Sequence, residues 1–175
     1  KQLRELTLRG QVMSADSVRQ LAIAGGGLPS LRSVYVAMSP RPYGRMVTPA
    51  GCAGTTTEIS DGIGELLNAF GAGLRSFRVK GRPGDISCVA RLLSAQHCTL
   101  TALHLSFCNM SADDGRVLFD AVRGNTTLRS LDVSHNDLHL SVQGTGQGGS
   151  AADAVASAVR GSRTLRVLKL DSCGF

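Results

Sequence analysis

The sequence predicts an α/β solenoid, a curved horseshoe with parallel strands on its concave face and helices on its convex face. Three observations predict it. A Leu-x-x-Leu-x-Leu-like hexad occurs six times, at Leu3/Leu6/Leu8, Leu31/Val34/Val36, Leu74/Phe77/Val79, Leu100/Leu103/Leu105, Leu128/Leu131/Val133 and Leu165/Leu168/Leu170. The hexads start at residues 3, 31, 74, 100, 128 and 165, which gives steps of 28, 43, 26, 28 and 37 residues: one basic period, stretched twice by insertions. Between hexads, apolar residues return at helical spacing.

Each hexad reads as a short strand, because its aliphatic side chains alternate with polar ones, as Leu103 and Leu105 do around His104. Helices follow at 14–24 with Val18, Leu21 and Ala22 inward, and at 58–70 with Ile63, Leu66, Leu67 and Phe70 inward. The next is 85–95, on Ile86, Val89 and Leu93. The fourth, 111–123, starts at an N-cap, Ser111, with an acidic residue at the third position, and turns Val117, Leu118 and Val122 inward. The fifth, 150–160, relies on Ala152, Val155 and Val159. Five strand–helix units and a sixth strand therefore make one domain over residues 1–175, about five and a half repeats. With one strand per unit and a helical return, the strands must be parallel, and helices wider than the strand spacing force curvature. The inward leucines, at about 1.5 to 3 kcal/mol each on burial, dominate stability.

Composition bounds the function. At 42% hydrophobic residues the chain can bury a core, and no apolar run approaches the roughly 20 residues of a membrane span. The first hexad starts at Leu3 and the last ends before its helix begins, so the chain reads as a segment of a longer polypeptide. The five cysteines, 52, 88, 98, 108 and 173, are odd in number and lack CxxC spacing, which argues against a disulfide framework and a zinc module and for a reducing, cytoplasmic setting. Cys108 and Cys173 occupy equivalent places two repeats apart, roughly 10 Å at about 4.8 Å per strand and beyond disulfide reach. A net charge of +6 favours acidic partners without choosing among them.

The stretches L-T-A-L-H-L-S-F-C-N-M and L-R-S-L-D-V-S-H-N-D-L resemble the leucine-rich repeat consensus, and the 28-residue step is similar to the ribonuclease-inhibitor-like subfamily. In that family the ninth position is Asn or Cys, whose side chain helps satisfy the backbone of the turn; Cys108, Asn136 and Cys173 match. Gln11, Ser39 and Arg82 depart from it, as do Arg41 and Gly84 at the eleventh, normally apolar position. The resemblance implies a horseshoe fold and protein partners: inhibitors, GTPase regulators or assembly components.

Residues alternating with the ladder face the concave side. They are Glu5, Thr7, Arg9; Ser33, Tyr35, Ala37; Ser76, Arg78, Lys80; Ala102, His104, Ser106; Ser130, Asp132, Ser134; and Val167, Lys169, Asp171. Tyr and Arg are common interface anchors, so Arg9, Tyr35, Arg78, Lys80, His104, Asp132 and Lys169 are candidate partner-binding residues, with Phe107 and His135 at the rim. Both insertions fall between strand and helix. Residues 37–57, with Pro40, Pro42 and Pro49, offer Arg41, Tyr43 and Arg45 as further candidates; residues 139–149 are Gly-rich.

Signals that resemble chemistry are weaker. Gly144, Gly146 and Gly149 fit G-x-G-x-x-G, and Asp171 ends the following strand, but a dinucleotide turn directly follows its strand, and Val133 lies some ten residues earlier. His104, Ser106 and Asp132 on adjacent strands have no organised oxyanion site, and His135 and His139 straddle a strand end without further ligands. Along the chain, basic residues are not interleaved with aromatic ones, which argues against nucleic acid. The sequence thus points to a protein-interaction scaffold binding an acidic protein surface, with no catalytic residue, cofactor or metal. The alternative is a GTPase-activating module using Arg41 or Arg45, and a dinucleotide-binding fold is more remote.

Overall fold

A computed structural model describes residues 3–10, 20, 21, 23, 30–38, 63, 64, 66–68, 70, 73–81, 86–138 and 151–174. Six strands run in chain order: β1 Glu5–Gly10, β2 Ser33–Met38, β3 Ser76–Lys80, β4 Ala102–His104, β5 Ser130–Asp132 and β6 Val167–Lys169. Three helices alternate with the later strands: α1 Ser87–Ser94, α2 Ala112–Gly124 and α3 Ala151–Gly161. Residues 20, 21 and 23, and 63, 64, 66–68 and 70, are also helical, within the stretches where the spacing predicts helices. The insertions lie, from residues 39 and 139 onward, outside the described residues.

All six strands pair in parallel as one sheet in the order β1 to β6. The register sets Leu6, Val34, Phe77, Leu103, Leu131 and Leu168 in one column, the alignment the hexads predict. In the four inner repeats every hexad apolar residue is buried, and Leu118, Phe119 and Val122 of α2 with Val89 and Leu93 of α1 close the core over them. At the two outer strands Leu6, Leu8, Leu165, Leu168 and Leu170 pack only partly against it, and Leu3 is exposed; β1 and β6 each pair with a single strand among the described residues.

The turn that leaves each strand explains the ninth position. Asn136 accepts from the backbone N–H of Cys108 (2.9 Å) and Met110 (3.1 Å), and its amide donates to the carbonyls of Leu105 and Val133 (2.7 Å each). One buried side chain thus satisfies four backbone groups in two repeats, groups that would otherwise be stranded away from water. The thiols of Cys108 and Cys173 make the equivalent backward contact, to the carbonyls of Val79 (3.5 Å) and Val133 (3.3 Å). At the other end of the repeat, buried Asn125 donates to Leu93 O (2.7 Å) and accepts from the N–H of Thr127 and Leu128, tying the end of α2 to the end of α1.

The α2 start follows the sequence closely. Ser111 Oγ accepts from Asp114 N while Asp114 Oδ2 accepts from Ser111 N, a reciprocal cap. Two helix faces differ from expectation. Val117 is exposed, because α2 buries Ala112, Gly115, Leu118, Phe119 and Val122, and Val117 lies a turn-fraction off that stripe. In α3 the buried residues are Ala151 and Ala158, with Ala154 and Val155 packed partly against the core, so Ala152 and Val159 face outward. A stripe of alanines sets the phase there, and the larger Val159 lies off it.

Leu103→Ala is expected to cost about 2 to 5 kcal/mol in urea unfolding, by leaving a cavity within the column. Leu168→Ala should cost on the order of 1 kcal/mol, because Leu168 is only partly withdrawn from water. Equal losses would mean that the column does not run as described.

Candidate partner-binding surface

Strand alternation places the candidate residues in cross-strand rows. Thr7, Tyr35, Arg78, His104, Asp132 and Lys169 share one register line, and Arg9, Ala37 and Lys80 the next. Seven candidates, Arg9, Tyr35, Arg78, Lys80, His104, Asp132 and Lys169, therefore stand on one face. Phe107 and His135 follow β4 and β5 at its far end, while Arg41, Tyr43 and Arg45 lie outside the described residues.

Two clusters emerge that no linear reading contains. The guanidinium carbons of Arg9 and Arg78 each sit 5.7 Å from the centroid of Tyr35, one from either neighbouring strand. The rings of Phe107 and His135 stack with centroids 4.1 Å apart at 16°, and Lys80 Nζ lies 4.9 Å from the Phe107 centroid. Basic and aromatic residues thus alternate across strands, in Arg9, Tyr35, Arg78 and again in Lys80, Phe107, His135. This corrects the expectation that they are not interleaved: that holds along the chain, but parallel pairing brings residues some 26 to 43 positions apart side by side. Phe107 does not tuck under a neighbouring turn, being 49% exposed.

The stack rests on an unusual backbone. Phe107 and His135 have φ of 58° and 59°, and Gly81 and Ser172 fill the equivalent places with φ of 100° and 54°. The strand-ending turn demands this left-handed conformation, which Gly81 adopts freely and Phe107 and His135 do not. Cross-strand bonds hold them, Phe107 N to Ser134 O (3.2 Å) and His135 N to Asp171 O (2.7 Å).

Toward β6 the face turns mixed in charge. His104 and Asp132 stand directly opposite, with Nδ1 and Oδ2 3.7 Å apart. Burial and the nearby Arg78 hold the His104 imidazole below its ordinary pKa, outweighing the opposing pull of Asp132, so it is held toward its neutral form. Burial pushes Asp132 up, but hydrogen bonding to Ser134 and the neighbouring His104 and Lys169 outweigh it and leave the carboxyl below its usual value. Ser134, expected among the exposed concave residues, is instead buried: its hydroxyl accepts from Asp171 N and donates to Asp171 Oδ2 (3.4 Å).

Burial raises the Cys108 thiol to about 12 and also raises Cys173, so neither is a nucleophile at neutral pH. Cys98, Cys108 and Cys173 are free thiols, and all three are buried. Among the described residues no three His, Cys, Asp or Glu side chains converge as metal ligands would. The glycine motif at 144–149 lies outside the described residues. Leu138, before it, is buried in the turn with its N–H bonded to Cys173 O (3.2 Å) and is not itself a strand residue. The second hexad position, which belongs to neither the inward nor the concave pattern, is Arg in five repeats, a recurrence visible in the sequence as a charge at the hexad period.

This geometry is that of an α/β solenoid, an open parallel sheet with helices behind it and a side-chain-rich inner face. The family described as Leucine Rich repeat matches residues 96–119 and 124–140, the repeats that carry Cys108 and Asn136. The Tonsoku-like protein of Bos taurus is 37% identical over 105 residues; the match covers 58% of this chain, which spans 7% of that relative's length. The tropomodulin C-terminal domain of Caenorhabditis elegans superposes with a TM-score of 0.54 at 16% identity, covering 90% of this chain and 83% of that one, a likeness of fold alone.

The His104 shift fixes a pH dependence. Its folded pKa lies below 6.5, so the unfolded chain binds the extra proton first, and the stability His104 contributes is present above pH 6.5 and lost as pH falls below it. Urea unfolding midpoints should therefore drop between pH 7.5 and 5.5 less in His104→Gln than in the parent protein. An NMR titration placing His104 at or above 6.5 would overturn the assignment.

Proposed function

We propose that this protein is a non-enzymatic interaction scaffold that holds an acidic surface of a protein partner on its concave face. The observation that carries the reading is the pair of cross-strand rows, Arg9–Tyr35–Arg78 and Lys80–Phe107–His135, which present cations already packed against rings. Tyr and Arg in fixed positions are typical anchors, and side chains held by the fold lose little freedom on binding. The mixed charge of His104, Asp132 and Lys169 beside these rows supplies register for the partner. Free, buried thiols suit a reducing, intracellular compartment, and the 28-residue steps favour the ribonuclease-inhibitor-like subfamily.

Cross-linking in cells followed by mass spectrometry identifies the partner, and its affinity is then measured for the parent protein and for Arg78→Glu/Lys80→Glu. The reversal should weaken binding by about tenfold or more. The protein should stay folded, with stability lowered by no more than the two exposed cation–π contacts supply, about 0.5 to 1 kcal/mol each. Unchanged affinity would remove the concave face from the account.

A further inference from the structure

Read down the second position of the hexads, the six repeats carry Arg4, Arg32, Arg75, Thr101, Arg129 and Arg166. The backbone joins them in one unbroken file along the leading edge of the sheet. Arg32 N donates to Arg4 O, Arg75 N to Arg32 O, Thr101 N to Arg75 O, Arg129 N to Thr101 O and Arg166 N to Arg129 O, all at 2.8 to 2.9 Å. Neighbours in the file are therefore one strand step apart, about 4.8 Å, with Thr101 the single gap. All five arginines are exposed. Arg32 Nη1 donates to Leu31 O (3.0 Å) and to Gly73 O (3.2 Å), laying its head along the file toward the next repeat.

Like charges directly opposite on neighbouring strands repel. Here Arg stands beside Arg at 4 and 32, 32 and 75, and 129 and 166, and among the described residues no carboxylate forms an ion pair with Arg4, Arg75, Arg129 or Arg166. The carboxylates of Asp113 and Asp114 sit in the first turn of α2, and Asp171 follows β6, all toward the opposite edge. Arg91, Arg123 and Arg160 occupy the last turns of the three helices, where the chain returns to the leading edge and adds to its charge. One edge of the solenoid is thus cationic, and among the described residues four of its five arginines have no carboxylate in ion-pair contact.

We propose that this edge is a docking track for an acidic polypeptide segment, a run of Asp or Glu side chains in a partner. It rests on the protein-binding reading in that a protein supplies the anion, but it uses a surface separate from the concave rows. The fork of each guanidinium matches a carboxylate in bidentate fashion. Five strand steps span about 24 Å, the length of roughly seven residues of extended chain, whose same-side carboxylates recur about every 6.8 Å. The rival polyanion, a nucleic-acid strand, is held by phosphate contacts together with bases stacked on aromatic rings. Among the described residues no aromatic side chain stands on the file: Tyr35 and Phe107 lie on the concave face and its far end, and Phe70, Phe77 and Phe119 are buried.

The test is fluorescence anisotropy with a labelled oligoglutamate of about ten residues, titrated with the parent protein, with Arg75→Gln/Arg129→Gln/Arg166→Gln, and with Arg78→Glu/Lys80→Glu. Glutamine keeps much of the stem and its packing, and thermal melts of the variants check that they fold. The expected result is binding that weakens as salt rises, drops at least about tenfold in the triple variant and falls by less in the concave-face variant, whose two residues also present cations. No binding at low salt, or equal binding by the triple variant, overturns the proposal. Loss in Arg78→Glu/Lys80→Glu with retention in the triple variant moves the acidic segment to the concave face, which overturns the track and leaves the protein-binding reading standing. An oligothymidylate that binds more tightly than oligoglutamate and depends on the same three arginines reassigns the edge to nucleic acid and equally overturns it.

Discussion

The register of the parallel ladder is the constraint on which the remaining features depend. Each repeat hands its strand to the next one step along, so that Leu6, Val34, Phe77, Leu103, Leu131 and Leu168 form one column. A slip of a single residue anywhere would turn that strand's aliphatic side chains to the concave face and its polar ones into the core. Two buried asparagines lock the register from both ends of the fifth repeat, Asn125 where the helix is left and Asn136 where the strand is left. Their hydrogen bonds run to neighbouring repeats, so the polar fasteners and the apolar column specify the same stacking.

From that register follow three parallel files with different chemistry. The aliphatic file is dry, the concave file sets cations beside rings, and the leading edge carries five arginines interrupted once, at Thr101. A solenoid repeats each position at one strand step, so a residue chosen once per repeat becomes a continuous stripe. The left-handed turn after β3, β4, β5 and β6 shows the cost of decorating such a stripe. Phe107 and His135 occupy a conformation that disfavours side chains by on the order of 1 kcal/mol each, where Gly81 meets no such penalty. What the fold gains there is an exposed aromatic stack beside Lys80.

The hexads made all six strands and their register legible, because a period-two pattern of large aliphatics has few other ways to be buried. The capping box at Ser111 was legible for the same kind of reason, a local bond between residues three apart. Helix phase was harder to read. In α3 the buried positions are alanines, whose small size makes them poor markers, and Val159 stands outward. Ser134 looked like any other concave hydroxyl until Asp171 of the next repeat drew it inward. The pairing of Tyr35 with Arg9 and Arg78 joins residues from three repeats and exists only once the strands are aligned. The arginine file was present in the sequence, but at the hexad position that neither the inward nor the outward pattern uses.

The account therefore reduces to whether successive hexads lie side by side in one buried column. Methyl-labelled NMR measures this directly, through nuclear Overhauser contacts of Leu131, whose side chain is fully buried between its neighbours. Contacts from the Leu131 methyls to those of both Leu103 and Leu168 are the predicted result. Methyl contacts from Leu131 to neither residue, with contacts to the His104 ring in their place, would contradict it.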